Sequence, residues 1–131
     1  MLDFKKENVN PKNRKTGDCS TRAIARCLGI SWDDALKLQF DVALKTKYDP
    51  TSHQVVDAIL TSHGWIKQKQ PRKWDGRKYT VREMDVVIGD FHRSNRCICT
   101  VAHHYVVIEN DNYIDTWNSG LKTVGNYYVK D

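Results

Sequence analysis

No apolar run in this 131-residue chain approaches the roughly 20 residues that a bilayer crossing requires. The opening stretch, MLDFKKENVNPKNRK, lacks the apolar core of a secretory signal, which points to a cytoplasmic protein. Cys19, Cys27, Cys97 and Cys99 form no CxxC pair, and without export they read as thiols rather than as a disulfide framework. There are no internal repeats, no low-complexity segments and no recognised nucleic-acid motif. These absences argue against membrane-spanning helices and repeat arrays, and against a secreted disulfide domain as the alternative reading of the cysteines. What remains is an ordinary globular composition, 40% hydrophobic and 28% charged, at a length that suits a single domain over residues 1–131 with a modest core.

The charge balance is basic, with 21 Lys and Arg against 16 Asp and Glu, a net of +5. Positive residues gather in FKKENVNPKNRK and in KQKQPRKWDGRK, residues 67–78. Solvated loops are the first reading of both stretches. Attraction to nucleic acid or to an acidic partner is the alternative.

Residues 1–17 read as an extended polar lead-in punctuated by Pro11 and Gly17. A first helix is expected from Cys19 to Leu28, with Ala23, Ile24, Cys27 and Leu28 as its apolar stripe and Gly29 as its stop. Ser31 caps a second, with Asp34 three residues on and Asp33 beside it at the positive helix end. Trp32, Ala35, Leu36, Leu38, Val42 and Ala43 are its expected buried side. A third helix starts at Thr51 or Ser52 and turns Val55, Val56, Ile59 and Leu60 inward. Residues 65–79 suggest a short strand and a basic loop. Thr80 and Glu83 form a capping box that opens a short helix through Val87. From there RCICTV, HYVVIEN, NYIDTW and GNYYVK are rich in β-branched and aromatic residues. Helices first and an antiparallel sheet afterwards make an α+β fold.

The chemistry gathers around Cys19. Asp18 stands where a helix cap belongs, which puts Cys19 in the first turn, where the helix dipole and unpaired N–H groups stabilise a thiolate. A cysteine nucleophile needs a base, and the base needs an orienting group. If Asn110-Asp111 is a two-residue hairpin turn, Ile108 pairs with Tyr113, Val106 faces Asp115, and His104 becomes a diagonal neighbour of Asp115 on one face. A three-residue loop through Asn112 slips the register and separates them. Trp117 shares the Asp115 face and shields the His–carboxylate contact from water. The Cys19 N–H and the Asn13 side-chain amide are the candidate oxyanion donors.

In this order, Asn13, Cys19, His104 and Asp115 resemble the papain-like cysteine peptidases. Asp18-Cys19 with HYVVI is most similar to the leader-cleaving peptidase domains of bacteriocin exporters. DTWNS resembles the papain segment in which a Trp follows the orienting Asn by two. The resemblance implies a papain-like fold and hydrolysis of a peptide or isopeptide bond, with a peptide or protein as substrate. It implies no cofactor. Transfer to another acceptor and glutamine deamidation use the same chemistry and stay open. So does a catalytically inactive binding or inhibitor module that keeps the fold and acts on a protein partner. Asn13 stands where the family usually has Gln, and Ser20 where it commonly has Gly. Asp18-Cys19-Ser20 is also similar to a class of cell-wall endopeptidases, which place a second His where this chain has Asp115.

Several residues have plainer readings. His103 is an alternative base and Asn118 an alternative orienter. Cys97 and Cys99 with His103 and His104 form a candidate metal group, but Ile98 and Val101 mark an apolar strand and make core packing the preferred role. Cys27 belongs to the first helix's packing stripe. Trp32 and Trp65 need no functional account, and His53, His63 and His92 default to solvent.

Overall fold

The computed structural model describes residues 1–92 and 95–130. By its internal contacts the chain comprises two compact units, Asn8–Trp65 and Met1–Glu7 with Ile66–Asp131. The first is helical and is inserted in sequence after the first strand of the second.

In the helical unit, α1 runs Cys19–Leu28 and buries Ala23, Ile24 and Cys27, as the stripe predicts. Gly29 ends it in the left-handed region at φ +66°, where a glycine carries no Cβ penalty, and its N–H bonds the Ala25 carbonyl. The second helix, α2, spans Trp32–Thr46, and the Ser31 hydroxyl accepts the Asp34 N–H at 3.0 Å. Its buried side differs from the expected one. Ala35, Gln39 and Ala43 are buried, while Trp32, Leu36, Leu38 and Val42 are half-buried. Residues four apart form one line along a helix, and this line is small or polar. Gln39 tolerates burial because every polar atom is matched. Its Oε1 accepts the Thr21 hydroxyl at 2.6 Å, and its Nε2 donates to Ser20 Oγ at 3.0 Å and to the Pro50 carbonyl at 3.1 Å. A polar residue on an apolar stripe has no periodicity signal, so the sequence pattern passes over it. The third helix, α3, spans His53–Ser62 behind a Ser52 cap and buries Val55, Val56, Ile59 and Leu60 as expected. The unit's helices pack as α1 on α2 and α2 on α3.

The second unit is a six-stranded sheet in the order β1-β5-β4-β3-β6-β2. Its strands are β1 (Asp3–Lys6), β2 (Ile66–Gln68), β3 (Arg96–Val101), β4 (His104–Glu109), β5 (Asn112–Asp115) and β6 (Tyr127–Val129). The α+β expectation holds, but the sheet is mixed rather than antiparallel. Four pairings are antiparallel, and β1 runs parallel to β5, with Phe4 opposite Tyr113 and Lys6 opposite Asp115. Part of the expected lead-in is therefore a strand. Asp-Phe-Lys-Lys has one apolar side chain and no alternation to announce it. The open edge of β5 recruits it through backbone bonds, extended by Asp3 N–H to the Asp111 carbonyl and Glu7 N–H to the Asp115 carbonyl.

The capping box forms as predicted. The Thr80 N–H and hydroxyl both donate to Glu83 Oε1, at 2.9 and 2.8 Å, across a 3₁₀ turn at Val81–Glu83. The helix it opens, α4 (Met84–His92), outruns the expected end at Val87. Val81, Met84, Val87 and Ile88 share a core cluster with Cys97, Cys99, Val106, Ile108, Tyr113 and Tyr127 of the sheet. Each such side chain contributes roughly 1.5–3 kcal/mol by leaving water. Cys97 and Cys99 are thus core residues, with sulfurs 3.7 Å apart on one face.

Candidate active site

The β4–β5 hairpin decides where the polar residues of the sheet unit go. Ile108 lies opposite Tyr113 and Glu109 opposite Asn112, so Asn110-Asp111 is the two-residue turn. Asn110 adopts φ +55°, a left-handed conformation that asparagine tolerates. With this register, His104 Nε2 lies 2.6 Å from Asp115 Oδ2. Both are sequestered, with 11% of the His104 side chain and none of the Asp115 side chain open to solvent.

A buried carboxylate needs its lone pairs satisfied. The Thr116 N–H donates to Asp115 Oδ1 at 2.7 Å, and the Ser119 hydroxyl donates to Oδ2 at 2.8 Å. Burial pushes the Asp115 carboxyl up. The hydrogen bonds from His104 and Ser119, the His104 charge and the Thr116 N–H outweigh it and hold the group below its ordinary range. An ionised Asp115 only accepts, so His104 Nε2 carries the proton. Trp117 lies against the imidazole with ring centroids 5.0 Å apart, tilted by 34°. Its indole is 42% exposed, so it covers the ring on one side only.

Ser119 is fully buried and was not singled out by sequence reasoning. Its signal is the tight return after β5, which brings residue 119 back over residue 115. That return is fixed by Asn118, whose Oδ1 accepts the Tyr113 hydroxyl at 2.8 Å and the Gly120 N–H at 3.1 Å. A Cβ at Gly120 would lie 2.4 Å from the Tyr113 hydroxyl, so the close approach requires glycine. With Oδ1 so occupied and His104 on Asp115, Asn118 anchors the loop. His103 sits in the β3–β4 turn at φ +54° and is exposed.

In the helical unit, Cys19 is the first residue of α1 and is half-buried. Asp18 takes the cap position, but its carboxylate does not cap the helix. Oδ1 accepts Arg22 Nε at 3.0 Å, while Oδ2 accepts Trp32 Nε1 at 2.9 Å and Asn10 Nδ2 at 3.2 Å. A guanidinium and an indole N–H outcompete the helix's own amide for a buried carboxylate. Asn13, the expected oxyanion donor, is exposed in the left-handed region at φ +51°. Asn10, unremarked in the sequence reading, is the amide that reaches Asp18. Its signal is local, because Asn10 Oδ1 also accepts the Lys12 N–H two residues on, as Asn does in turns.

Two histidines expected in solvent have partners. His92 Nε2 lies 2.7 Å from the Tyr127 hydroxyl, and His63 Nδ1 lies 2.8 Å from the Ile59 carbonyl. Among the described residues no group of three His, Cys, Asp or Glu is placed to hold a metal, and no helix is long and apolar enough to cross a membrane. No family model, curated protein or solved structure matches the chain.

Proposed function

We propose that the protein is a papain-like thiol hydrolase of peptide or isopeptide bonds, with Cys19 as nucleophile, His104 as base and Asp115 as orienter. The observation that carries the reading is the 2.6 Å contact between His104 Nε2 and the buried, ionised Asp115. An imidazole fixed by a carboxylate at one nitrogen exchanges protons at the other, and its cationic form is stabilised by the same contact. In this reading His104 Nδ1 takes the Cys19 proton and the thiolate attacks the carbonyl carbon. The tetrahedral oxyanion rests on the Cys19 N–H, with the Asn13 amide as second donor. The proton then passes to the leaving amine, and water releases the acyl group from sulfur. The position of Cys19 at the start of α1 supports the reading, because helix N-termini favour thiolates. A thiol nucleophile suits a reducing compartment, and the reading places the enzyme in the cytoplasm.

The test is the alkylation rate of each cysteine by iodoacetamide at pH 6, read by peptide mass spectrometry. An ordinary thiol of pKa about 8.5 is roughly 0.3% thiolate there, so a His-paired Cys19 should react on the order of a hundredfold faster. His104→Ala should return it to the ordinary rate. Slow alkylation of Cys19 in the folded wild type would sink the reading.

A further inference from the structure

The thiol reading leaves the segment 67–78 unused. This segment holds six Lys or Arg and one Asp, a net of +5, which equals the net charge of the whole chain. The remaining residues therefore balance, with 15 positive and 15 negative side chains. Four of the six cations, Arg72, Lys73, Arg77 and Lys78, lie on a built hairpin. Arg72 bridges Lys78 in antiparallel pairing, Lys73 N–H donates to the Arg77 carbonyl at 2.8 Å, and Gly76 N–H closes the turn onto the Lys73 carbonyl at 2.9 Å. Gly76 sits at φ +87°, where a side chain would be strained.

The hairpin is anchored. Lys73 Nζ bonds Glu83 at 2.6 Å, Gln70 Nε2 donates to the Val124 carbonyl at 2.8 Å, and Val124 N–H returns to the Tyr79 carbonyl at 2.9 Å. At its tip Trp74 is 98% exposed, so folding gains nothing from its indole. Directly opposed like charges, here Arg72 and Lys78, destabilise a strand pair. Among the described residues Lys69, Arg72 and Lys78 are exposed and have no carboxylate partner. Arg72 spends its guanidinium on the Gly76 carbonyl and the Gln70 amide oxygen, which leave its charge uncompensated.

We propose that this hairpin binds single-stranded nucleic acid, with Trp74 stacked on a base and Lys69, Arg72 and Lys78 on neighbouring phosphates. A rigid turn that displays one indole among cations is a stacking platform beside an electrostatic track. An unpaired strand exposes base faces to such a tip, and a duplex does not. A lipid surface is the weaker fit, because insertion needs apolar area and Trp74 is flanked by Lys73 and Asp75 with no second apolar residue in 72–78. The inference is independent of the thiol chemistry.

The experiment is a fluorescence-anisotropy titration of a labelled 15-nucleotide oligo(dT) with the full chain. Three phosphate contacts on a single strand give a logarithmic salt slope of about −2, so affinity should fall roughly twentyfold between 50 and 200 mM NaCl. Trp74→Ala should weaken binding at least about fivefold with the slope kept, while Trp74→Phe keeps most of the affinity. The triple variant Lys69→Ala, Arg72→Ala, Lys78→Ala should flatten the slope. Cys19 alkylation should be the same in all these variants, which separates this inference from the hydrolase reading. No binding at 50 mM salt, unchanged binding by Trp74→Ala, or equal competition by a duplex of the same length would overturn the proposal. Binding to phosphatidylserine vesicles without binding to the oligonucleotide would overturn it in favour of a membrane surface.

Discussion

Asp18 and Asp115 are both buried, hydrogen-bonded carboxylates, one in each compact unit. Asp18 is held by Arg22, Trp32 and Asn10, and Asp115 by His104, Ser119 and the Thr116 N–H. The difference lies in what the principal donor can do. A guanidinium stays protonated at every accessible pH, so Arg22 can hold Asp18 in place but cannot exchange a proton with a substrate. An imidazole can gain and lose a proton, so the partner of Asp115 is of the kind that acid–base chemistry uses. Burial and hydrogen bonding alone therefore say little about role. The titratability of the partner separates a strut from a site.

Breaking the strut should have the largest effect. Asp18→Ala removes the buried carboxylate that Arg22, Trp32 and Asn10 bond, and should cost about 3–5 kcal/mol in urea unfolding. Asp115→Asn keeps the shape and should cost less stability, about 1–2 kcal/mol. Its larger effect falls on chemistry. Its amide can turn a donor towards Nε2, the wrong tautomer results, and Cys19 alkylation at pH 6 should drop at least about tenfold. The pH dependence sharpens the contrast. The folded Asp115 carboxyl titrates below its unfolded value, so its contribution is complete above the ordinary Asp range and disappears as pH falls through the folded value. The stability gap between wild type and Asp115→Asn should close correspondingly in unfolding curves taken from pH 7 down to pH 2. Ser119→Ala is the smallest break. It should cost about 1 kcal/mol, and it should move the Asp115 carboxyl upward in an NMR titration, because one of the bonds that lowers it is gone.

How much of this was legible depended on the range of each interaction. Ser31, Ser52 and the Thr80–Glu83 box announce their helices because a cap reaches only three residues along the chain. The His104–Asp115 contact was readable for a similar reason, since a two-residue turn at Asn110-Asp111 fixes the register of everything behind it. Gln39 was not readable, because its matching groups lie at Ser20, Thr21 and Pro50, far from it in sequence. Nor was the preference of Asp18 for Arg22 and Trp32 over its own helix. That choice is set by burial, which no local spacing reports. The parallel β1–β5 pairing was the least visible, joining Asp3 to Asn112 with a single apolar residue as witness.

That pairing sets a schedule for the nascent chain. Residues 3–6 leave the ribosome more than a hundred residues ahead of their ladder, residues 112–115. At about 5–20 residues per second, the first strand waits roughly 5–20 s for its mate. During that interval Asn8–Trp65, a compact unit by its own contacts, has its full sequence available to fold. The Asp115 strand therefore arrives last among its neighbours. It closes between β4 and a β1 made long before it.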